Sequence, residues 1–229
     1  MSDLVLSAKG VTKRFGRRTV LDSLDFEPAP GAVTVLLGRN GAGKSTLLKL
    51  WLGVLRPDSG TVRVGGLDPG RHARRVRSLI GYVPDRPDVY PWMTAGDLFR
   101  FLAPQYPTWN RDAQARLGER LGVPLDRPFR SMSRGEGMKA MLVAALAPEP
   151  PILLLDEPFA GLDPVVREEV LKGLLSEFRA GEQTVVVTTH DLDVAARIAD
   201  RVAVLSSGRI GEQGTPEQPQ ELLQRINAS

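Results

Sequence analysis

Short apolar runs and amphipathic stretches alternate along most of the chain, and their periods predict its elements. Leu4 to Val11 and Thr19 to Phe26 read as antiparallel strands joined by a turn around Phe15-Gly16-Arg17-Arg18. Ala32 to Leu37 is nearly all apolar, as in a strand covered on both faces, and glycines follow it at once. From Lys44 the period changes. Leu47, Leu48, Trp51 and Leu55 recur at helical spacing until Arg56-Pro57-Asp58-Ser59-Gly60 ends the segment. The order is strand, glycine loop, helix.

Thr61 to Val64 and Ser78 to Val83 look like further strands. From about Val89 to Ala147 β character is lost: Thr94 can cap a helix through Phe101, Asp112 to Leu121 suits a second, and Glu136 to Leu146 a third. The α/β pattern resumes with a buried strand at Ile152 to Leu155, a helix begun by Pro164 and ended by Gly181, a strand at Thr184 to Thr188 and a short helix after Asp191. Val202 to Ile210 reads as a closing hairpin and Pro216 to Ile226 as a terminal helix. No internal repeat, low-complexity tract or flexible linker interrupts this order.

Composition narrows the class. With 229 residues, 42% hydrophobic and 25% charged, the chain can bury one large core. Its 30 basic and 27 acidic residues give a net charge of only +3, too balanced for a dedicated nucleic-acid binder. Cysteine is absent, which excludes disulfides and thiolate metal sites. The amino terminus lacks the apolar run of a secretion signal. No apolar stretch approaches the roughly 20 residues needed to cross a bilayer, so a membrane role would be peripheral, through a partner that supplies the spanning helices.

Candidate chemistry begins in the glycine loop. Gly38-Arg39-Asn40-Gly41-Ala42-Gly43-Lys44-Ser45 satisfies G-x-x-x-x-G-K-[ST] between a strand and a helix, the context its mechanism requires. Glycines let backbone N–H groups wrap a phosphate, and the helix from Lys44 aims its positive end at the anion. Lys44 should reach β- and γ-phosphates and the Ser45 hydroxyl should ligate Mg²⁺. Far downstream, Ile152 to Leu155 runs into Asp156-Glu157. At the carboxyl end of a parallel strand beside the loop, Asp156 would hold Mg²⁺ and Glu157 would orient an attacking water. Taken alone, the same residues describe a strand ending in an exposed acidic turn. His190, one of only two histidines, ends the next apolar strand and is a candidate for γ-phosphate contact, although a lone histidine is usually structural.

These elements, in this order and over essentially the whole chain, resemble ABC-type ATPases. Ile80-Gly81-Tyr82-Val83-Pro84-Asp85 is similar to the family's Q-loop and Met132-Ser133-Arg134-Gly135-Glu136 to its signature; Leu155-Asp156-Glu157-Pro158, Ala160-Gly161-Leu162-Asp163-Pro164 and His190 follow. The resemblance implies an α/β P-loop NTPase fold, with a mainly parallel core sheet, an antiparallel β subdomain and a helical insertion. It implies one ATP-binding domain over 1–229, its core formed by about 1–88 and 148–229 and its helical subdomain by about 89–147.

The resemblance also implies ATP and Mg²⁺ as ligands and a head-to-tail dimer, with itself or with a second ATPase subunit. Each ATP would lie between one subunit's residues Gly38, Arg39, Asn40, Gly41, Ala42, Gly43, Lys44, Ser45 and Thr46 and the other's Ser133 and Gly135. Phe15 would stack on adenine, Lys44, Glu157 and His190 would act on the phosphates, and Asp163 would sit at the subunit boundary. A transmembrane permease subunit would be the partner, at the cytoplasmic face of the cell membrane, and no nucleic acid is expected.

The match departs at three places. Asp85 replaces the Q-loop glutamine and could still approach Mg²⁺; Arg134 replaces the signature's first glycine; Glu136 replaces its glutamine. Together with Arg86 to Thr94 these resemble single-domain ATPases that pair with separate exporter-type membrane proteins. The cluster Arg71 to Arg77 fits a solvated basic helix face as well as a lipid or nucleic-acid contact. Tyr90, Trp92, Tyr106 and Trp109 could dock a partner helix or pack the insertion. Two rival functions stay open at this level: a soluble ABC-type ATPase acting on nucleic acid or ribosomes, and an assembly module that binds nucleotide without turning it over.

Overall fold

A computed structural model describes residues 5–215; the helix expected over Pro216 to Ile226 lies outside the described residues. Two sheets carry the fold. The first is antiparallel, in the order β2-β1-β4, formed by β1 (Leu6–Phe15), β2 (Arg18–Phe26) and β4 (Ser59–Val64). The second runs β5-β6-β7-β3-β8-β9, from β3 (Val33–Leu37), β5 (Ile80–Val83), β6 (Ile152–Asp156), β7 (Thr184–Thr189), β8 (Arg201–Ser206) and β9 (Arg209–Gly214). Its first five strands are parallel and β9 closes the edge antiparallel to β8.

Every residue of β3, β6 and β7 is buried. That is why these segments read as unbroken apolar runs instead of alternating ones: both faces of a parallel sheet are covered. Val35 and Leu37 face one apolar cluster, shared with Phe99, Met138 and Leu171, while Leu36 faces a second, shared with Trp51 and the antiparallel sheet. Helix α1 (Lys44–Trp51) fills the second cluster, and the Trp51 indole N–H donates to the Ser7 carbonyl at 3.1 Å.

Between β5 and β6 lie α3 (Ala95–Leu102), α4 (Arg111–Arg120) and α5 (Arg134–Leu146). Thr94 caps α3 through a reciprocal box with Asp97, and Ser133 caps α5 through the same device with Glu136. Helix α5 therefore starts at Arg134, two residues before the sequence pattern suggested, because the cap and not the apolar period fixes its first turn. Helix α6 (Pro164–Glu177) stops short of Gly181, and α7 (Leu192–Ile198) follows Asp191. The basic segment forms a single short helix, α2 (Ala73–Arg77), with Arg74, Arg75 and Arg77 exposed. Phe15 closes β1 and Arg18 opens β2, so the turn is only Gly16-Arg17, tighter than the four residues expected.

Candidate nucleotide site

The carboxyl ends of β3, β7 and β6 lie abreast. Leu36 is in register with Thr188, and Asp156 with Thr188 on its other side. Crevices at such strand ends are where open parallel sheets bind ligands. The loop leaving β3 is pinned there by close backbone approaches. A Cβ on Gly38 would lie 2.5 Å from the Leu205 carbonyl, and one on Gly43 2.7 Å from Leu21 Cδ2. Gly43 also holds φ 113°, a left-handed conformation that costs glycine little. It is the N-cap of α1 and offers no side-chain cap. The first N–H groups of α1 are thus left without a side-chain acceptor, the arrangement that suits an anion.

Lys44 is buried. Its ammonium donates to the Gly38 carbonyl at 2.6 Å and to the Arg39 carbonyl at 3.4 Å, and lies 2.9 Å from Glu157 Oε1. The last contact is a close ion pair with poor hydrogen-bond angles, and Oε1 is left buried without a donor of good geometry. Glu157 Oε2 meets His190 Nδ1 at 3.0 Å. The backbone of Glu157 is at φ 46°, unfavourable for a residue with a side chain. Its N–H is held by the Thr188 carbonyl and hydroxyl at 3.1 and 2.9 Å. The residues expected at Lys44, Glu157 and His190 are therefore joined in one chain of contacts.

Asp156 is fully buried and accepts from the Thr188 hydroxyl at 2.7 Å. Burial pushes its carboxyl above the usual carboxylate range; the Thr188 and Ser45 hydroxyls oppose that, and Asp85 and Glu157 reinforce it. A buried carboxylate beside a serine hydroxyl fits Mg²⁺, which takes one or two carboxylates and otherwise keeps water and phosphate oxygens. Among the described residues no group of three or more His, Cys, Asp or Glu could hold a metal. Asp85 joins Arg39 to Thr46 and Glu157 in lining a cavity of about 320 Å³ at the loop.

Two lining residues escaped sequence reasoning: Arg18, whose guanidinium donates to the Gly41 carbonyl at 3.3 Å, and Val20. The packing of β2 against the glycine loop brings them there, with the Val20 carbonyl 3.1 Å from where a Cβ on Gly43 would lie, and no local pattern marks them. Phe15, expected against adenine, sits half exposed at the end of β1, opposite Arg18 in register and under the Lys13 ammonium, and does not line this cavity.

The profile of a family described as "ABC transporter" matches residues 21–160. The chain belongs to the ABC transporter family. A protein of Ralstonia nicotianae named "Nod factor export ATP-binding protein I" is 33% identical over 219 residues, covering 93% of this chain and 68% of that protein. A protein of Rhodococcus jostii named "Fe(3+) ions import ATP-binding protein FbpC 2" is 35% identical over 221 residues, covering 93% of this chain and 63% of that protein. A solved structure described as the ATP binding subunit of an ABC transporter superposes with a TM-score of 0.82 at 28% identity, covering 98% of this chain and 95% of that one.

This ABC transporter subunit is thus an ATP-binding subunit, and its relatives carry names of both exporters and importers. Its signature-like segment does not line the phosphate-loop cavity of its own chain. Ser133 is exposed, while Gly135 is buried where a Cβ would lie 2.6 Å from Val166 Cγ1. Asp163 is exposed and caps α6, accepting from the N–H groups of Val165 and Val166 at 3.1 and 3.0 Å. The four insertion aromatics divide. Tyr106 and Trp109 are half-buried and hydrogen-bonded, whereas Tyr90 and Trp92 stack at 4.7 Å and stay 62% and 66% exposed. Tyr90 borders an apolar groove of about 920 Å³ that also includes Val54, Phe101, Tyr106 and Arg77.

Proposed function

We propose that this chain hydrolyses ATP and drives transport by closing head to tail on a second ATPase subunit, either its own copy or a related chain. The observation that carries this reading is the contact chain Lys44, Glu157, His190 at the ends of β3, β6 and β7. It places a cation for phosphate oxygens, a carboxylate for the attacking water and an imidazole to orient that carboxylate in one line of contacts, an ion pair followed by a hydrogen bond. Gly38 to Thr46 wrap the phosphates with backbone N–H groups. Ser45 and Asp156 would hold Mg²⁺, with Asp85 beside them, and the ion would supply charge neutralisation for the phosphate oxygens. Glu157 accepts a proton from the water it aligns, and His190 keeps Glu157 pointed at that water. Phe15 contributes a face for adenine from the end of β1.

Ser133 and Gly135 open α5 toward the second subunit's phosphates, with Asp163 at the boundary and residues 89–147 moving as the helical subdomain. The groove at Val54, Tyr90 and Phe101 receives a permease subunit. No described helix is long and apolar enough to cross a membrane. In this reading the spanning helices belong to that partner and this chain works at the cytoplasmic face. We assign export as the direction, supported by the departures at Asp85 and Arg134 with the segment that follows Asp85. Phosphate release with Mg-ATP tests the catalytic reading: Lys44→Ala lowers turnover by about 10²- to 10³-fold, and undiminished release by that variant would overturn it. Uptake into inverted membrane vesicles containing the partner tests export, and uptake only into right-side-out vesicles would reverse the direction.

A further inference from the structure

Arg134 breaks a local rule. It is the first residue of α5, where a cation opposes the helix dipole, so its gain must come from elsewhere. The guanidinium donates to the Asp85 carbonyl at 3.2 Å, and a Cβ on Gly161 would sit 2.9 Å from its Nη1. It lies between the segment after β5 and the segment after β6. The same helical turn touches both segments a second time. A Cβ on Gly137 would lie 3.0 Å from Pro87 Cγ, and one on Gly135 2.6 Å from Val166 Cγ1. The turn from Arg134 to Gly137 is wedged between residues 85–87 and 161–166, and Arg134 alone reaches both.

We propose that Arg134 is a positioning residue, a planar tether that makes the Asp85 segment, the capping end of α5 and the Gly161–Asp163 segment move as one unit. A carboxylate beside the phosphate loop is then linked mechanically to the helix end that faces the second subunit. That consequence rests on the reading given under Proposed function; the tether itself does not. The planar fork is what the arrangement requires, because one nitrogen must meet a carbonyl on one side while the other sits close against the Gly161 backbone. A lysine ammonium carries the same charge as a single point and cannot span both.

Amide hydrogen exchange on the nucleotide-free full chain tests this with Arg134→Ala and Arg134→Lys. Both variants should exchange roughly five-fold faster over residues 85–90 and 159–166, the loss of one guanidinium–carbonyl bond, with β7 unchanged as an internal reference. On adding Mg-ATP, the wild type should gain protection at 159–166 and the two variants should not. Unchanged exchange in Arg134→Ala would overturn the tether. So would wild-type protection in Arg134→Lys, which would make Arg134 a mere positive charge, or acceleration that extends to β7, which would make it a general stabiliser. Calorimetry of Mg-ATP binding to the wild type checks the ATPase reading separately: no heat there, with accelerated exchange in both variants, sinks that reading and leaves the tether standing.

Discussion

Lys44 Nζ and Glu157 Oε1 lie 2.9 Å apart across the ends of β3 and β6. The ammonium proposed for the phosphates and the carboxylate proposed for the water neutralise each other, so a triphosphate must compete with Glu157 for Lys44. Replacing Glu157 by Gln removes the competitor and the water-orienting base together. Turnover should fall by at least about 10²-fold while Mg-ATP binds a few-fold tighter, since binding no longer displaces an ion pair. Calorimetry and phosphate release on one preparation check both, and weaker binding would mean that the pair does not compete.

Asp156 offers a stability test with a definite sign. Burial raises its folded-state pKa. A carboxyl harder to ionise folded than unfolded stabilises the fold while protonated, and that contribution is lost as pH rises through the folded value. Asp156→Asn keeps a carbonyl for the Thr188 hydroxyl and removes the charge. It should melt above the wild type near neutral pH in chelator, with the gap closing on acidification toward the ordinary carboxylate range. Melting curves across pH decide it; a gap that widens on acidification contradicts the burial argument.

Gly81 lies in β5 where a Cβ would meet the Ala145 carbonyl at 2.3 Å, Leu153 Cδ2 at 2.7 Å and Pro150 Cγ at 2.8 Å. Two of the three neighbours are backbone or ring atoms that cannot swing away. Gly81→Ala should cost about 1–3 kcal/mol, seen as a lower denaturation midpoint at unchanged slope.

The groove beside the Asp85 segment keeps Phe101 62% exposed. An aromatic anchor at the centre of such a surface commonly dominates its affinity. Phe101→Ala should reduce recovery of the membrane partner from detergent extracts by roughly ten-fold without lowering the melting temperature. Full recovery would move the docking surface elsewhere.

What the sequence made legible was local. The glycine loop, the apolar run before Asp156 and the capping residue Thr94 each announce themselves within a few positions, because turns, caps and buried strands are short-range chemistry. The strand order β5-β6-β7-β3-β8 does not, since it depends on which runs pair across more than a hundred residues. The pattern marks Arg18 as part of the turn, whereas it opens β2 and donates to Gly41 in the loop after β3, a contact that no local signal announces. Arg134 showed itself only as a misfit, and its contacts with Asp85 and Gly161 explain the misfit without any signal in the neighbouring residues. The left-handed backbone of Glu157 likewise has no sequence mark, since glutamate does not favour it.

The placement of β3 has a consequence for synthesis. Residues 33–37 emerge early, but they are flanked by residues 184–189 and 201–206, and Gly38 packs under the Leu205 carbonyl. At translation speeds of about 5–20 residues per second, the two flanking strands follow on the order of ten seconds later. Until then a bare apolar strand and a slack glycine loop hang from the ribosome, exposed to chaperones and proteases. Nascent chains ending before β8 would lack the support beneath that loop, so nucleotide capture waits until residues 201–206 have been made.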